Sequence, residues 1–317
     1  NTTIQIYYLT IIFIWMEAVL NPALILFLSG IITGITFKLT LPNSISKYLG
    51  YYLLLALGLK GGLSLQENGF INDVISALSL GILFALLIPA IAYIYLKNIL
   101  NTDDAAALSG TYGSVSAVTF VTAIAYLSTT NQDFDNYMSA VLVVMEFPAI
   151  FMALYLVTHN KINKGTNLQT IKTAFLEIPN IILISSLFVG YFVNKTVISN
   201  IDIFIVTIFD YVLYIFLFVM GTRVAKRTGE LKGKGVNLIA FALLTPLIGS
   251  LIALLASINF GLSVGNSTLL MVLTASASYI AVPAVVKDAI PDANPAIYLG
   301  LSLGVTFPFN IIFGIPL

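Results

Sequence analysis

Two runs of small and hydroxylated residues interrupt otherwise apolar sequence: Gly113-Ser114-Val115-Ser116, and Ala275-Ser276-Ala277-Ser278 followed by Tyr279. They lie 162 residues apart, Ser114 matching Ser276 and Ser116 matching Ser278. Inside a membrane, a helix broken in this way frees N–H and C=O groups that lipid cannot satisfy. Such a break must be buried in protein or line a polar cavity. A half-helix that restarts after the break offers unpaired N–H groups and the positive end of its dipole, which suits a small anion. Hydroxyls of Ser114, Ser116, Ser276 and Ser278 would add donors, and the small Gly110, Gly113, Ala275 and Ala277 would let a ligand approach the backbone. Tight helix packing is the competing use for small residues. A symmetric pair of runs favours a site, with Gly113, Ser114, Val115, Ser116, Ser276, Ala277, Ser278 and Tyr279 as substrate-binding candidates.

A single acid, Glu146, stands in the middle of another apolar stretch, just before Phe147-Pro148. Burying an ionised carboxylate in a bilayer costs several kcal/mol unless it is paired, so such a residue is a functional candidate by default. Pro148 lacks an N–H and leaves a carbonyl one turn earlier free for a cation. Glu146 is therefore a candidate ligand for a cation such as sodium, or a proton carrier. Thr119 and Thr306, the latter at the place equivalent to Glu146, complete the coupling-ion set. A protonated structural Glu bonded to a neighbouring helix is the alternative. Asp210 falls nearer a span end, as a vestibule acid would. Lys60 and Arg223 lie where long side chains snorkel, and Asp103-Asp104 reads as the cap of a helix start.

Ordinary enzyme chemistry finds little here. No HExxH occurs, and the one His, His159, sits in a polar stretch beside Asn160 and Lys161. A lone His makes neither a multi-ligand metal centre nor a Ser-His pair with other histidines in reserve. With no Cys, disulfide and thiolate chemistry are excluded. The residues by themselves imply no cofactor.

The elements that must hold these residues are membrane helices. Of 317 residues, 59% are hydrophobic and 9% charged, with a mean hydropathy of +1.00; soluble domains average about 25% charged. Net charge is zero, which gives no footing for nucleic acid. Ten segments are long enough to cross, or nearly cross, about 30 Å of hydrocarbon: 23–37, 48–66, 74–96, 105–127, 137–157, 178–193, 204–222, 236–258, 266–287 and 296–315. Residues 4–20, rich in Tyr and Trp, read as an interfacial helix in preference to a full span, without the basic start or cleavage site of a signal peptide. With the N-terminus outside, Lys38, Lys47, Lys97, Lys161, Arg223, Lys226 and most other basic residues fall in cytoplasmic loops, and Lys195 falls opposite.

The chain also repeats. Gly58-Leu59-Lys60 matches Gly221-Thr222-Arg223, the Ser runs match, and Phe147-Pro148 matches Phe307-Pro308, in the same order and at nearly the same offset. Five spans per copy is odd, so the second copy enters from the other side. The fold expected is an all-α, ten-helix, five-plus-five inverted repeat with discontinuous helices four and nine. Its parts are an interfacial helix over 1–20, repeats over 21–157 and 177–317, and a cytoplasmic linker over 158–176.

Residues 275–308, ASASYIAVPAVVKDAIPDANPAIYLGLSLGVTFP, resemble the second-repeat signature of the cyanobacterial-type sodium-dependent bicarbonate transporter family, most closely at Ile290-Pro291-Asp292-Ala293-Asn294-Pro295. Leu57-Gly58-Leu59-Lys60-Gly61-Gly62, Gly113-Ser114-Val115-Ser116 and Met145-Glu146-Phe147-Pro148 resemble its first-repeat motifs in order. The resemblance covers about residues 21–317. It implies a bacterial inner-membrane symporter, a homotrimer that takes up bicarbonate with sodium and is open to control by a PII-like cytosolic regulator. It also implies movement of spans 3–5 and 8–10 against spans 1, 2, 6 and 7. Three positions depart from the pattern. Tyr279 stands where an Asp is expected, Val282-Pro283 where Gly-Pro is, and Ala117-Val118-Thr119 where Gly-Ser-Thr is. A phenol can hydrogen-bond an anion but is a poor sodium ligand. Transport of another small anion or carboxylate with altered coupling, and a non-transporting membrane receptor or scaffold, are the alternatives.

Overall fold

The computed structural model describes residues 22–39, 41–160, 176, 178–193, 207–227, 235–280, 282, 283, 285, 286 and 290–316. The expected interfacial helix at 4–20 and nearly all of the linker at 158–176 lie outside the described residues. Within them every regular element is helical and no strand occurs. The helices are α1 (Pro22–Thr36), α2 (Asn43–Asn68), α3 (Asn72–Leu96), α4 (Thr102–Gly113), α5 (Ala117–Thr129) and α6 (Met138–Asn160). They continue as α7 (Ile178–Phe192), α8 (Ile208–Arg227), α9 (Val236–Asn259), α10 (Val264–Ala275) and α11 (Pro295–Leu301).

Among the described residues, seven helical stretches are long and apolar enough to cross a membrane, with α4 and α5 together making one of them. The apolar α1, α7 and α10 are shorter, at 15, 15 and 12 residues. At about 1.5 Å per residue they fall below the hydrocarbon thickness by themselves. α10 ends where the second Ser run begins, because the chain there turns extended. Beyond α11 the last segment keeps winding, but through wide π-type turns at Ser302–Thr306 and Asn310–Gly314 on either side of Phe307–Phe309. Periodicity alone gives no hint of this local unwinding. It surrounds Pro308, which cannot donate to the ladder.

Packing sorts the helices into two groups. α1 pairs most extensively with α8, and α2 with α7 and α8. α3 packs on α4 and α6, and α9 on α10, with α5 against α10 and α11 against α4. The first group approaches so closely that side chains are excluded. A Cβ added to Gly221 of α8 would lie 2.2 Å from the Phe27 carbonyl oxygen, and one on Gly62 of α2 would lie 2.1 Å from that of Leu187. Between bilayer helices, where no hydrophobic force acts, such small-residue contacts supply the packing. The groups meet through α2 with α6 and through the edge-on rings of Phe27 and Phe307, 5.3 Å apart.

Candidate functional site

Both Ser runs break their helices. Helix α4 stops at Gly113, Ser114 and Ser116 are extended, and α5 starts at Ala117. Helix α10 stops at Ala275, Ser276 is extended, and helical backbone returns at Val282. The two breaks touch. The Ser278 N–H donates to the Thr111 carbonyl at 2.8 Å. In the other direction the Ser116 N–H donates to the Ser276 hydroxyl at 2.9 Å. Backbone freed by each break thus finds partners in the other, as burial in an apolar medium requires.

The four hydroxyls divide into two kinds. Ser114 donates to a Glu146 carboxyl oxygen at 2.9 Å, and Ser276 donates to the Leu273 carbonyl at 2.8 Å. Ser116 instead accepts, as the cap of α5, from the N–H and hydroxyl of Thr119. Ser278 accepts from the Val282 N–H at 3.3 Å. The Ser116 hydroxyl is turned to the phenol oxygen of Tyr279, and among the described residues no acceptor takes the hydrogen of Ser278. These two serines line one small cavity of ≈ 40 Å³. A water needs about 10–15 Å³ by the same measure, so roughly three water-sized groups fit. Around them stand Val115, Glu146, Asn180 and Tyr279, with Leu54, Leu142 and Leu183 closing the sides.

Glu146 is only 6% exposed and also accepts the Val115 N–H. Its carboxyl is therefore held to the first break by two donors from consecutive residues. This cavity lies between the two helix groups, with Leu54 on α2 and Asn180 on α7 facing the breaks and α6. Asn180 is a polar group that hydropathy passes over, since one Asn after a Pro barely dents an apolar span.

Other candidates are placed elsewhere. Gly113 packs on Pro89, where a Cβ would lie 2.5 Å from the proline ring, and Gly110 packs on Ala153. Both glycines admit these close neighbours. Ala277 is buried in an apolar cluster with Tyr112 and Leu301. Thr119 lines a different cavity, of ≈ 200 Å³, with Asn310 and Ala275. Thr306 accepts from the Tyr112 hydroxyl at 2.5 Å and donates to the Ala242 carbonyl at 2.8 Å. The structure joins Glu146 to the serines and leaves Thr119 and Thr306 outside that cavity.

Two clamps fix the half-helices and escape a reading by motif. The start of α4 is capped by Asn101 and not by the acidic pair. Asp104 accepts from the Asn294 N–H at 2.6 Å and from the Asn101 side chain at 2.8 Å. The start of α10 is gripped through Asn266, which donates to Asp135 at 2.7 Å and Tyr137 at 2.8 Å and accepts the Asp135 N–H. Asp104 and Asn266 share the offset of the Ser runs, a signal that was available in the sequence. Lys60 lies over the Phe209 ring at 4.5 Å, Arg223 donates to Asn43 at 2.8 Å, and Asp210 is exposed.

A second, larger cavity of ≈ 580 Å³ adjoins the first, sharing Leu54, Pro179, Tyr279 and Ile280 with it. Lys47, Arg223 and Lys226 line its mouth. A small pocket at two broken helices, with Ser116, Ser278, Glu146 and Asn180 set in a largely apolar wall beside a larger cavity that carries basic residues, belongs to a polytopic helical membrane protein. The chain belongs to the Na+-dependent bicarbonate transporter superfamily, whose family model matches residues 22–317. No curated protein matches it.

Proposed function

We propose that the chain is a secondary active transporter carrying bicarbonate with sodium into the cell. In this reading its ten spans form two inverted five-span repeats, over 21–157 and 177–317, with the N-terminus outside the bacterial inner membrane. The observation that carries the reading is the cavity where Ser116, Ser278 and Glu146 converge. Hydroxyl donors suit an anion, and a carboxylate beside them suits its cation. The crossed pairing of α1 with α8 and α2 with α7 supports an inverted plan, since the first helix of each repeat then packs on the second of the other. Because the cavity lies between the two groups, sliding α3–α6 and α9–α11 against α1, α2, α7 and α8 would carry the solute across. Homotrimer formation and a PII-like regulator docking on the basic loops 158–176 and 223–235 belong to the same proposal.

Uptake of labelled bicarbonate into proteoliposomes, with and without a sodium gradient, tests it. Sodium-driven uptake is expected. A second reading, transport of another small anion or carboxylate with different coupling, is favoured by Tyr279 in place of an acid. Uptake of such anions alone would establish it, and no uptake of any anion would leave a receptor or scaffold.

A further inference from the structure

Tyr279 is one of four residues that face both cavities, and the one among them with a polar side chain. Its backbone belongs to the non-helical stretch after Ser276, so no helical ladder fixes it. The side chain is 9% exposed, and its buried hydroxyl lies beside that of Ser116, with no acceptor among the described residues for its own hydrogen. The ring is held by an edge-on contact with Phe307, at 5.3 Å between centroids. A buried hydroxyl normally finds a partner. A phenol hydrogen without an acceptor, next to a cavity where Ser278 also keeps its hydrogen, is a donor waiting for an acceptor.

We infer that Tyr279 is the selectivity gate of the anion pocket: its ring separates the pocket from the basic vestibule, and its hydroxyl donates to the anion that passes. The vestibule cations Lys47, Arg223 and Lys226 draw an anion to the ring. Turning the ring out of the contact with Phe307 opens the way, and the phenol gains the acceptor that the closed state denies it. A cation gains nothing from that O–H, so the gate favours anions with exposed oxygen acceptors. The inference rests on the transport reading for its substrate, but its barrier role is testable without any substrate.

The chain has no Cys, so Val118→Cys places one near-isosteric thiol among residues that line the small cavity and not the vestibule. Its rate of modification by a membrane-impermeant thiol reagent, applied from each side of reconstituted vesicles, reports whether the pocket is open. In the Val118→Cys background, Tyr279→Ala is expected to raise the rate about tenfold or more from the Lys47 side, while Tyr279→Phe leaves it unchanged. Equal rates in all three proteins would overturn the gate. In the Cys-free chain, Tyr279→Phe is expected to raise the KM for the carried anion about tenfold with little change in kcat. An unchanged KM would overturn the donor role. Failure of bicarbonate uptake in the unmodified chain would count against the transport reading alone, since the thiol measurement stands without it.

Discussion

The N–H of Ser116 rests on the hydroxyl of Ser276, 2.9 Å away, and that hydroxyl hands the bond on to the Leu273 carbonyl at 2.8 Å. The reverse link, from the Ser278 N–H to the Thr111 carbonyl, is direct. One hydroxyl thus completes an otherwise symmetric exchange between two broken helices. Ser276→Ala removes it and strands a buried N–H, at a cost of about 1–3 kcal/mol. A lower melting temperature in detergent is expected, and a melting temperature equal to that of the unmodified protein would show that the bond contributes nothing.

Asp104 ties the start of α4 to Asn294 and Asn101. Asp104→Ala should destabilise by about 1–3 kcal/mol through the unpaired Asn294 N–H. Asn266→Ala should act similarly at the start of α10. The two clamps share no residue, so the double variant is expected to lose the sum of the single losses within ~0.5 kcal/mol. Thermal or denaturant unfolding of the four proteins reads this directly, and a large departure from the sum would mean that the clamps are coupled.

Glu146→Gln keeps an oxygen for Ser114 and Val115 to bond but removes the acid. The variant should elute as a folded protein and lose sodium stimulation of uptake. Sodium activation equal to that of the unmodified chain would take Glu146 out of the coupling site and leave it a structural acid.

Gly221→Ala forces a methyl group to within 2.2 Å of the Phe27 carbonyl oxygen. Backbone cannot retreat like a side-chain tip, so overpacking of about 1–3 kcal/mol or more follows. Gly235→Ala, where a Cβ meets nothing within 4 Å, is the control and should melt within about 0.5 kcal/mol of the parent. Similar melting of both variants would show that α1 and α8 pack less tightly than described.

Much of the fold can be read from the residues in order. Hydropathy sets off the apolar stretches because lipid tolerates few charges, and the Ser runs announce breaks because small hydroxylated residues are poor company for continuous apolar helix. The recurrence of the runs places those breaks at matching positions, and Glu146 stands out as a lone acid in an apolar span. Those features depend on local composition, which a sequence states openly.

Which donors remain free does not. Four serines look alike in the sequence, yet Ser114 is spent on Glu146 and Ser276 on Leu273, Ser116 is turned to the Tyr279 phenol, and Ser278 keeps its hydrogen. The same holds for Gly113, committed to Pro89, and for Asn180, brought from a distant helix to the pocket wall. Composition determined that this chain is a membrane bundle with two interruptions and an acid in the middle of one span. Only the packing of the two groups decided which polar atoms face a shared cavity, because a hydrogen bond is settled by distance and direction between residues far apart in the chain.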